Sequence, residues 1–194
     1  MYDYFQGRLV FKAPTHVILD VGGIGYHIHI SLTTFSQIKD QESCKLYVSF
    51  QVREDAHTLY GFATEAERQL FNHLISVSGI GPNTGRMMLS SITPEEIQSA
   101  IINGQVQVIQ KIKGIGPKSA QRVILELQDK LKKQGADALI PMPITKQSVP
   151  EEALTALVML GFGKPQAEKV LNGLVAADPN QTVEELIKAA LKRL

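Results

Sequence analysis

Cysteine is almost missing from this 194-residue chain: there is one, Cys44, so no intrachain disulfide can be part of the fold. Net charge is almost missing as well. Twenty Lys and Arg stand against nineteen Asp and Glu, a formal net of +1, so affinity for a polyanion would have to come from local clustering. No apolar run is long enough to span a bilayer. The opening, Met1-Tyr2-Asp3-Tyr4-Phe5-Gln6-Gly7-Arg8, lacks the basic start and apolar stretch of a secretion signal, and a cytoplasmic location is the default expectation. A Gly-x-x-x-x-Gly-Lys-Ser/Thr phosphate loop is absent. His16, His27, His29, His57 and His73 show no zinc-ligand spacing, and no nucleophile–base pair or carboxylate pair stands out. No cofactor, metal or catalytic residue is therefore expected.

What is present is one pattern written twice. Leu74-Ile75-Ser76-Val77-Ser78-Gly79-Ile80-Gly81-Pro82-Asn83-Thr84-Gly85 is followed by Ile109-Gln110-Lys111-Ile112-Lys113-Gly114-Ile115-Gly116-Pro117-Lys118-Ser119-Ala120. Each copy reads as a helix, a Gly-Ile-Gly turn, then Pro at the first position of a second helix, where its missing N–H costs nothing. The turn leaves backbone amides fanned at a helix N-terminus, which is an anion site. A single copy would read as a plain helical turn. Two at the same spacing point to a polyanion with regular charges, a nucleic-acid backbone. A dinucleotide fingerprint is excluded by context, since a helix rather than a strand precedes Gly79 and the third Gly, Gly85, is off register.

Charge sorted by segment agrees. Residues 64–135 hold nine bases (Arg68, Arg86, Lys111, Lys113, Lys118, Arg122, Lys130, Lys132, Lys133) against six acids, and the flanking segments are slightly acidic. Lys118 falls in the first turn after the second Gly-Ile-Gly, with Arg122 one turn on along the same face. A cation there opposes the helix dipole unless an anion or solvent compensates.

Before this region the pattern is β. Alternating or β-branched runs at Arg8–Phe11, His16–Val21, Tyr26–Ile30, Lys45–Val52 and Thr58–Phe62 are separated by turn residues. Five short strands favour a closed OB-type barrel over residues 1–63, with Leu32–Asp40 a short helix or loop. Tyr47, Phe50, Tyr60 and Phe62 fit its core better than a base-stacking platform. His27 and His29 alternate on one strand, facing solvent or each other. Glu54 and Asp55 occupy the tip of a hairpin, where acids are ordinary; beside DNA they would repel phosphates.

Thr64-Glu65-Ala66-Glu67 and Thr93-Pro94-Glu95-Glu96 have the form of capping boxes. They open an all-helical unit over 64–135, with helices near 65–76, 82–91, 94–102, 105–112 and 117–132. Pro141, Pro143 and Pro150 interrupt any continuous helix, and residues 136–148 read as a flexible linker. Three helices, near 150–160, 165–175 and from the Thr182-Val183-Glu184-Glu185 box onward, form a small bundle over 149–194. Such a module binds a partner more readily than it catalyses. The fold class expected is α+β multidomain.

The order of parts, with Arg53-Glu54-Asp55-Ala56-His57-Thr58-Leu59-Tyr60-Gly61-Phe62 preceding the twin hairpins, resembles the RuvA family along essentially the whole chain. The resemblance implies a homotetramer, or an octamer on DNA, that holds a four-way junction open and square-planar. It implies phosphate contacts at Gly79, Ile80, Gly81, Arg86, Gly114, Ile115, Gly116, Lys118, Ser119 and Arg122, and an acidic pin of Glu54 and Asp55 at the crossover. The three-helix bundle, ubiquitin-associated-like, would engage the hexameric RuvB ATPase through Leu157, Leu160, Phe162 and Leu191. A RuvC resolvase is a further implied partner. Two departures are noted: Asn83 stands where the family often has Lys, and the chain carries a few residues more than the usual start before Gly7-Arg8-Leu9. On the residues themselves, a base-excision enzyme with Asp129 as its acid, or a non-catalytic interaction scaffold, remains open.

Overall fold

A strand whose inward positions are Val17 and Leu19, followed by one whose inward positions are Ile28 and Ile30, can bury them only by curling against further strands. The computed structural model describes residues 1–138, 149–178 and 181–194, and in it β1 (Tyr4–Ala13), β2 (His16–Val21), β3 (Ile24–Ile30), β4 (Ser43–Val52) and β5 (His57–Phe62) close a barrel in the order β1-β2-β3-β5-β4. β3 and β5 pair in parallel, Ile28 opposite Leu59; the other pairs are antiparallel. This is the OB arrangement. The interior is filled by Val17, Leu19, Ile28, Ile30, Leu46 and Val48. A short helix, α1 (Leu32–Ile38), capped by the Ser31 hydroxyl, links β3 to β4.

The first strand is longer than the sequence pattern predicts. It begins at Tyr4 because it serves two partners, β4 from Tyr4 to Arg8 and β2 from Arg8 to Ala13, with a bulge between Leu9 and Phe11. Gly7 makes the crossing feasible: a Cβ there would lie 2.1 Å from the Asp20 carbonyl oxygen. The residues ahead of Gly7 are structural. Arg68 bonds the Asp3 carboxylate and the Asp3 carbonyl, and the Val48 amide also donates to that carbonyl.

The helical part follows as α2 (Glu65–Ser76), α3 (Pro82–Ser91), α4 (Pro94–Ile102), α5 (Val106–Gln110) and α6 (Pro117–Ala138). Their common core runs from Leu70, Phe71 and Leu74 through Met88, Ile97 and Ile101 to Val123 and Leu127, and it absorbs Tyr60 and Phe62 from the barrel. Thr93 and Glu96 complete a capping box. Thr64 makes only half of one. Its hydroxyl accepts from the Glu67 amide at 3.1 Å, but the Glu67 side chain turns away to accept from Ser31 Oγ at 2.6 Å and Thr34 Oγ1 at 2.8 Å. That buried carboxylate ties the helical part to the barrel.

Burial pushes the Glu67 carboxyl above its ordinary range, against the pull of the Ser31 and Thr34 hydrogen bonds. A raised folded-state pKa means that stability from this group is fully present below the unfolded value and is lost as pH rises through the folded one. Glu67→Gln is therefore expected to flatten the fall in stability between acid and neutral pH. Glu67→Ala, which strands two buried hydroxyls, is expected to cost about 2–4 kcal/mol. Denaturant midpoints of both variants across pH check this; a Gln variant as pH-dependent as the parent would overturn it.

The chain divides into two compact units, Met1–Leu139 and Ile140–Leu194. The second holds α7 (Val149–Met159), α8 (Lys164–Ala177) and α9 (Val183–Leu191) around Leu157, Leu171, Leu174 and Leu186. Thr182 and Glu185 make the expected capping box. Of the expected linker, residues 136–138 continue α6, since no proline intervenes before Pro141 and Ala136 and Ala138 favour helix; the rest lies outside the described residues.

Candidate nucleic-acid interface

Each repeat folds as a helix–hairpin–helix: α2, residues 77–81, α3; then α5, residues 111–116, α6. The first glycine of each turn is there for its backbone. Gly79 has φ 92° and Gly114 φ 87°, values that other residues rarely adopt. The Ile between the glycines points inward, with Ile80 4% and Ile115 5% exposed. Their amides are used too, donating to the Val77 and Ile112 carbonyls at 3.0 and 3.1 Å. Among the expected phosphate contacts, these two residues thus supply the anchor and close the turn, and neither offers a free amide.

The second glycine differs. Gly81 is the N-cap of α3 with ordinary extended dihedrals, φ −83° and ψ 168°. Gly116 occupies the same place before α6, its carbonyl accepting from the Ala120 amide as Gly81's accepts from Gly85. A Cβ on Gly116 would meet nothing within 4 Å, and one on Gly81 only the Arg53 guanidinium at 3.9 Å. Neither conformation nor packing requires glycine here. The lack of a side chain leaves the first-turn amides open: among the described residues no side chain accepts from the amides of Asn83, Thr84, Lys118 or Ser119. Gly85 is a packing glycine; a Cβ would lie 3.0 Å from Ile75 and 3.3 Å from Phe71.

The bases divide into those that hold the site and those that face out. Lys111, Lys113 and Lys118 are exposed around the second hairpin. Arg122 is half structural: its guanidinium donates to the Ser78 carbonyl of the first hairpin at 3.3 Å and lies 3.7 Å from Glu126, which draws the two motifs together. Arg86 donates to the Thr15 carbonyl at 2.9 Å and pins α3 to the barrel. Asn83 accepts from the Tyr60 hydroxyl at 3.2 Å. Arg53, which the sequence marks only as the start of the Arg53–Phe62 stretch and not as a phosphate contact, lies beside Gly81 at the base of the acidic tip; its approach to the first hairpin is a tertiary fact. Glu54 and Asp55 are exposed where β4 turns into β5, the turn closed by the Arg53 amide on the Ala56 carbonyl at 2.9 Å. Asp129 is exposed on α6 between Gln128 and Lys130, a solvated position rather than a base-excision pocket. Among the described residues, no group of His, Cys, Asp and Glu is arranged to hold a metal ion, and no helix is long and apolar enough to cross a membrane.

In the second unit the apolar residues expected to meet a partner separate into two sets. Leu157 is 0% exposed and so is not a surface contact as the bundle stands; Phe162 packs on the same core but is half-buried, and Leu160 is 60% exposed with Leu191 also open. Val158 and Met159 join them on the surface. Buried packing against α8 and α9 is why Leu157 leaves the expected set.

A closed five-stranded barrel carrying two helix–hairpin–helix motifs with open helix ends defines the class: a tandem helix–hairpin–helix protein with an OB-type front. Family models match in that order: the RuvA N terminal domain at residues 1–61, the SAM-like helix-hairpin-helix tandem at 71–129, and the RuvA C-terminal domain at 148–194. The chain is 50% identical over 197 aligned positions, with 99% of each chain covered, to the Holliday junction branch migration complex subunit RuvA of Cytophaga hutchinsonii. It is 50% identical over 195 positions to the same-named protein of Christiangramia forsetii and 47% over 195 to that of Flavobacterium psychrophilum, all of both chains being covered in each case. This chain belongs to the RuvA family.

Proposed function

We propose that this protein binds four-way DNA junctions by their shape, as a homotetramer that holds the junction square-planar, in recombination and DNA repair. It has no catalytic site of its own in this reading and delivers the junction to the hexameric RuvB ATPase, which supplies the motor. The observation that carries the reading is the pair of uncapped helix ends at Gly81 and Gly116, where glycine serves nothing inside the protein. Phosphate oxygens would take the open amides, with Lys118, Lys113 and Arg53 adding charge. Backbone contacts position a duplex without reading its sequence, so discrimination has to come from the spacing of several such grips around a crossover. Glu54 and Asp55, exposed and acidic, would stand at that crossover and keep strands apart by repulsion.

Gel shifts of the full-length protein with a four-way junction and with linear duplex of the same sequence test this directly. The junction is expected to bind far more tightly, with affinity falling linearly in log salt as contacted phosphates release counterions. The same assay on Glu54→Gln with Asp55→Gln is expected to show tighter and less selective binding. Equal affinity for linear and branched DNA would sink the proposal, and an unchanged double variant would remove the acids from it.

A further inference from the structure

Five rings run in contact across the outside of the barrel. Phe11 stacks on His16 at 5.2 Å between centroids, His16 meets His27 edge-on at 4.7 Å, His27 meets His29 at 4.9 Å, and His29 lies 5.8 Å from Tyr60. Strand register makes the row. His16 pairs with His29 and Ile18 with His27, and His27 and His29, two apart, share a face. The row ends at the first hairpin, where Tyr60 bonds Asn83 and Arg86 reaches across to Thr15, the residue before His16.

The charges around the row are of one sign. Arg86 faces it from α3, and Arg53 acts with Arg86 on Tyr60. Lys12, next to Phe11 on β1, turns away to the Gln41 carbonyl. Asp20 shares the His16 face of β2 but sits at its far end, 3.8 Å from Arg8 and accepting from the Gly23 amide. His16 Nδ1 is 3.1 Å from the Thr15 hydroxyl. Three imidazoles beside a guanidinium, with no carboxylate among them, form a face that carries only basic groups. Burial lowers the pKa of His27, with His16 adding to it; burial also lowers that of His29, followed by Arg86, His27 and His16. Basic groups in a row without a carboxylate fit an anion of closely spaced charges, reached from the adjoining hairpin.

We propose that His16, His27 and His29 continue the first hairpin's phosphate grip over the barrel's outer face, His27 and His29 taking up protons as a DNA strand settles on them. This rests on reading the hairpins as DNA grips. Each proton taken up leaves a cation against a phosphate, so junction affinity rises as pH falls through the imidazole range.

Calorimetric titration of the full-length protein with four-way junction DNA, at pH 6.5 with EDTA in buffers of different ionisation enthalpy, counts the protons. Uptake of about one proton per bound protomer is expected, with affinity about tenfold higher at pH 6.0 than at pH 7.5. The variant His16→Gln/His27→Gln/His29→Gln should still bind the junction but lose most of the uptake and the pH dependence. His27→Lys, at an exposed position that cannot compromise the core, should bind more tightly and with less uptake. Failure to bind the junction at all would defeat the hairpin reading beneath. Junction binding without proton uptake, or with uptake that survives the triple variant, or an affinity unmoved by His27→Lys, would overturn the proposal itself.

Discussion

Gly81→Ser combined with Gly116→Ser is expected to leave the melting temperature unchanged or slightly raised while reducing junction affinity about 100-fold or more. Serine is a better N-cap than glycine, and Gly81 already has the extended dihedrals an N-cap residue adopts, φ −83° and ψ 168°. A Cβ has open space at Gly116 and an ordinary contact at Gly81. The new hydroxyl would accept from the third helical residue's amide, Thr84 in one motif and Ser119 in the other. That occupies from inside the donor proposed for phosphate. A charge-assisted hydrogen bond to a backbone amide contributes about 1.5–3 kcal/mol, so losing one per hairpin gives the stated drop. Melting curves and junction gel shifts on the same preparation separate the two effects. A variant that is stabilised yet binds junctions as well as the parent would show that the helix ends are not where DNA is held.

The contrast between Gly79 and Gly81 shows how far the sequence could be read. Both looked like turn residues, and the repeat made the hairpins legible because Pro82, Pro117 and the Thr93 box are local signals that no tertiary context overrode. The barrel was legible for the same reason: Val17, Leu19, Ile28 and Ile30 alternate strictly, so one face had to be inside. What could not be read depends on chain segments distant in sequence. β1 extends to Tyr4 only because β4 is there to pair with it. Glu67 looked like the partner of Thr64, three residues away, yet it bonds Ser31 and Thr34, more than thirty residues away. Arg86 and Arg122 read as bases free to meet phosphate, and each instead spends a guanidinium N–H on a carbonyl of another element. Residues that look alike in the sequence therefore divide into support and contact only once they are folded.

The same division gives the sharpest expectation for the second unit. Leu157, Leu160 and Phe162 read as one apolar contact, but the end of α7 sorts them. The Phe162 amide donates to the Leu157 carbonyl and the Gly161 amide to Val158's, at 3.1 and 3.0 Å, with Gly161 at φ 97°. This pair of backbone hydrogen bonds around a left-handed glycine is a Schellman turn, which brings its two apolar ends, Leu157 and Phe162, together. Met159 and Leu160 are left facing solvent, 83% and 60% exposed. If this surface meets the RuvB motor, Met159→Asp with Leu160→Asp should abolish stimulation of the motor, a loss of about 100-fold or more if two apolar anchors vanish together. Helix content and junction binding should stay at parental levels. Leu157→Asp should also abolish stimulation, but by unfolding the bundle, since a carboxylate would replace a fully buried side chain. Circular dichroism of residues 149–194 within the full chain, read as the difference from a protein ending at residue 148, distinguishes the two. Stimulation that survives the Met159/Leu160 pair would move the motor contact to another face of the bundle, and the exposed apolar side chains at the end of α7 would then need a different partner.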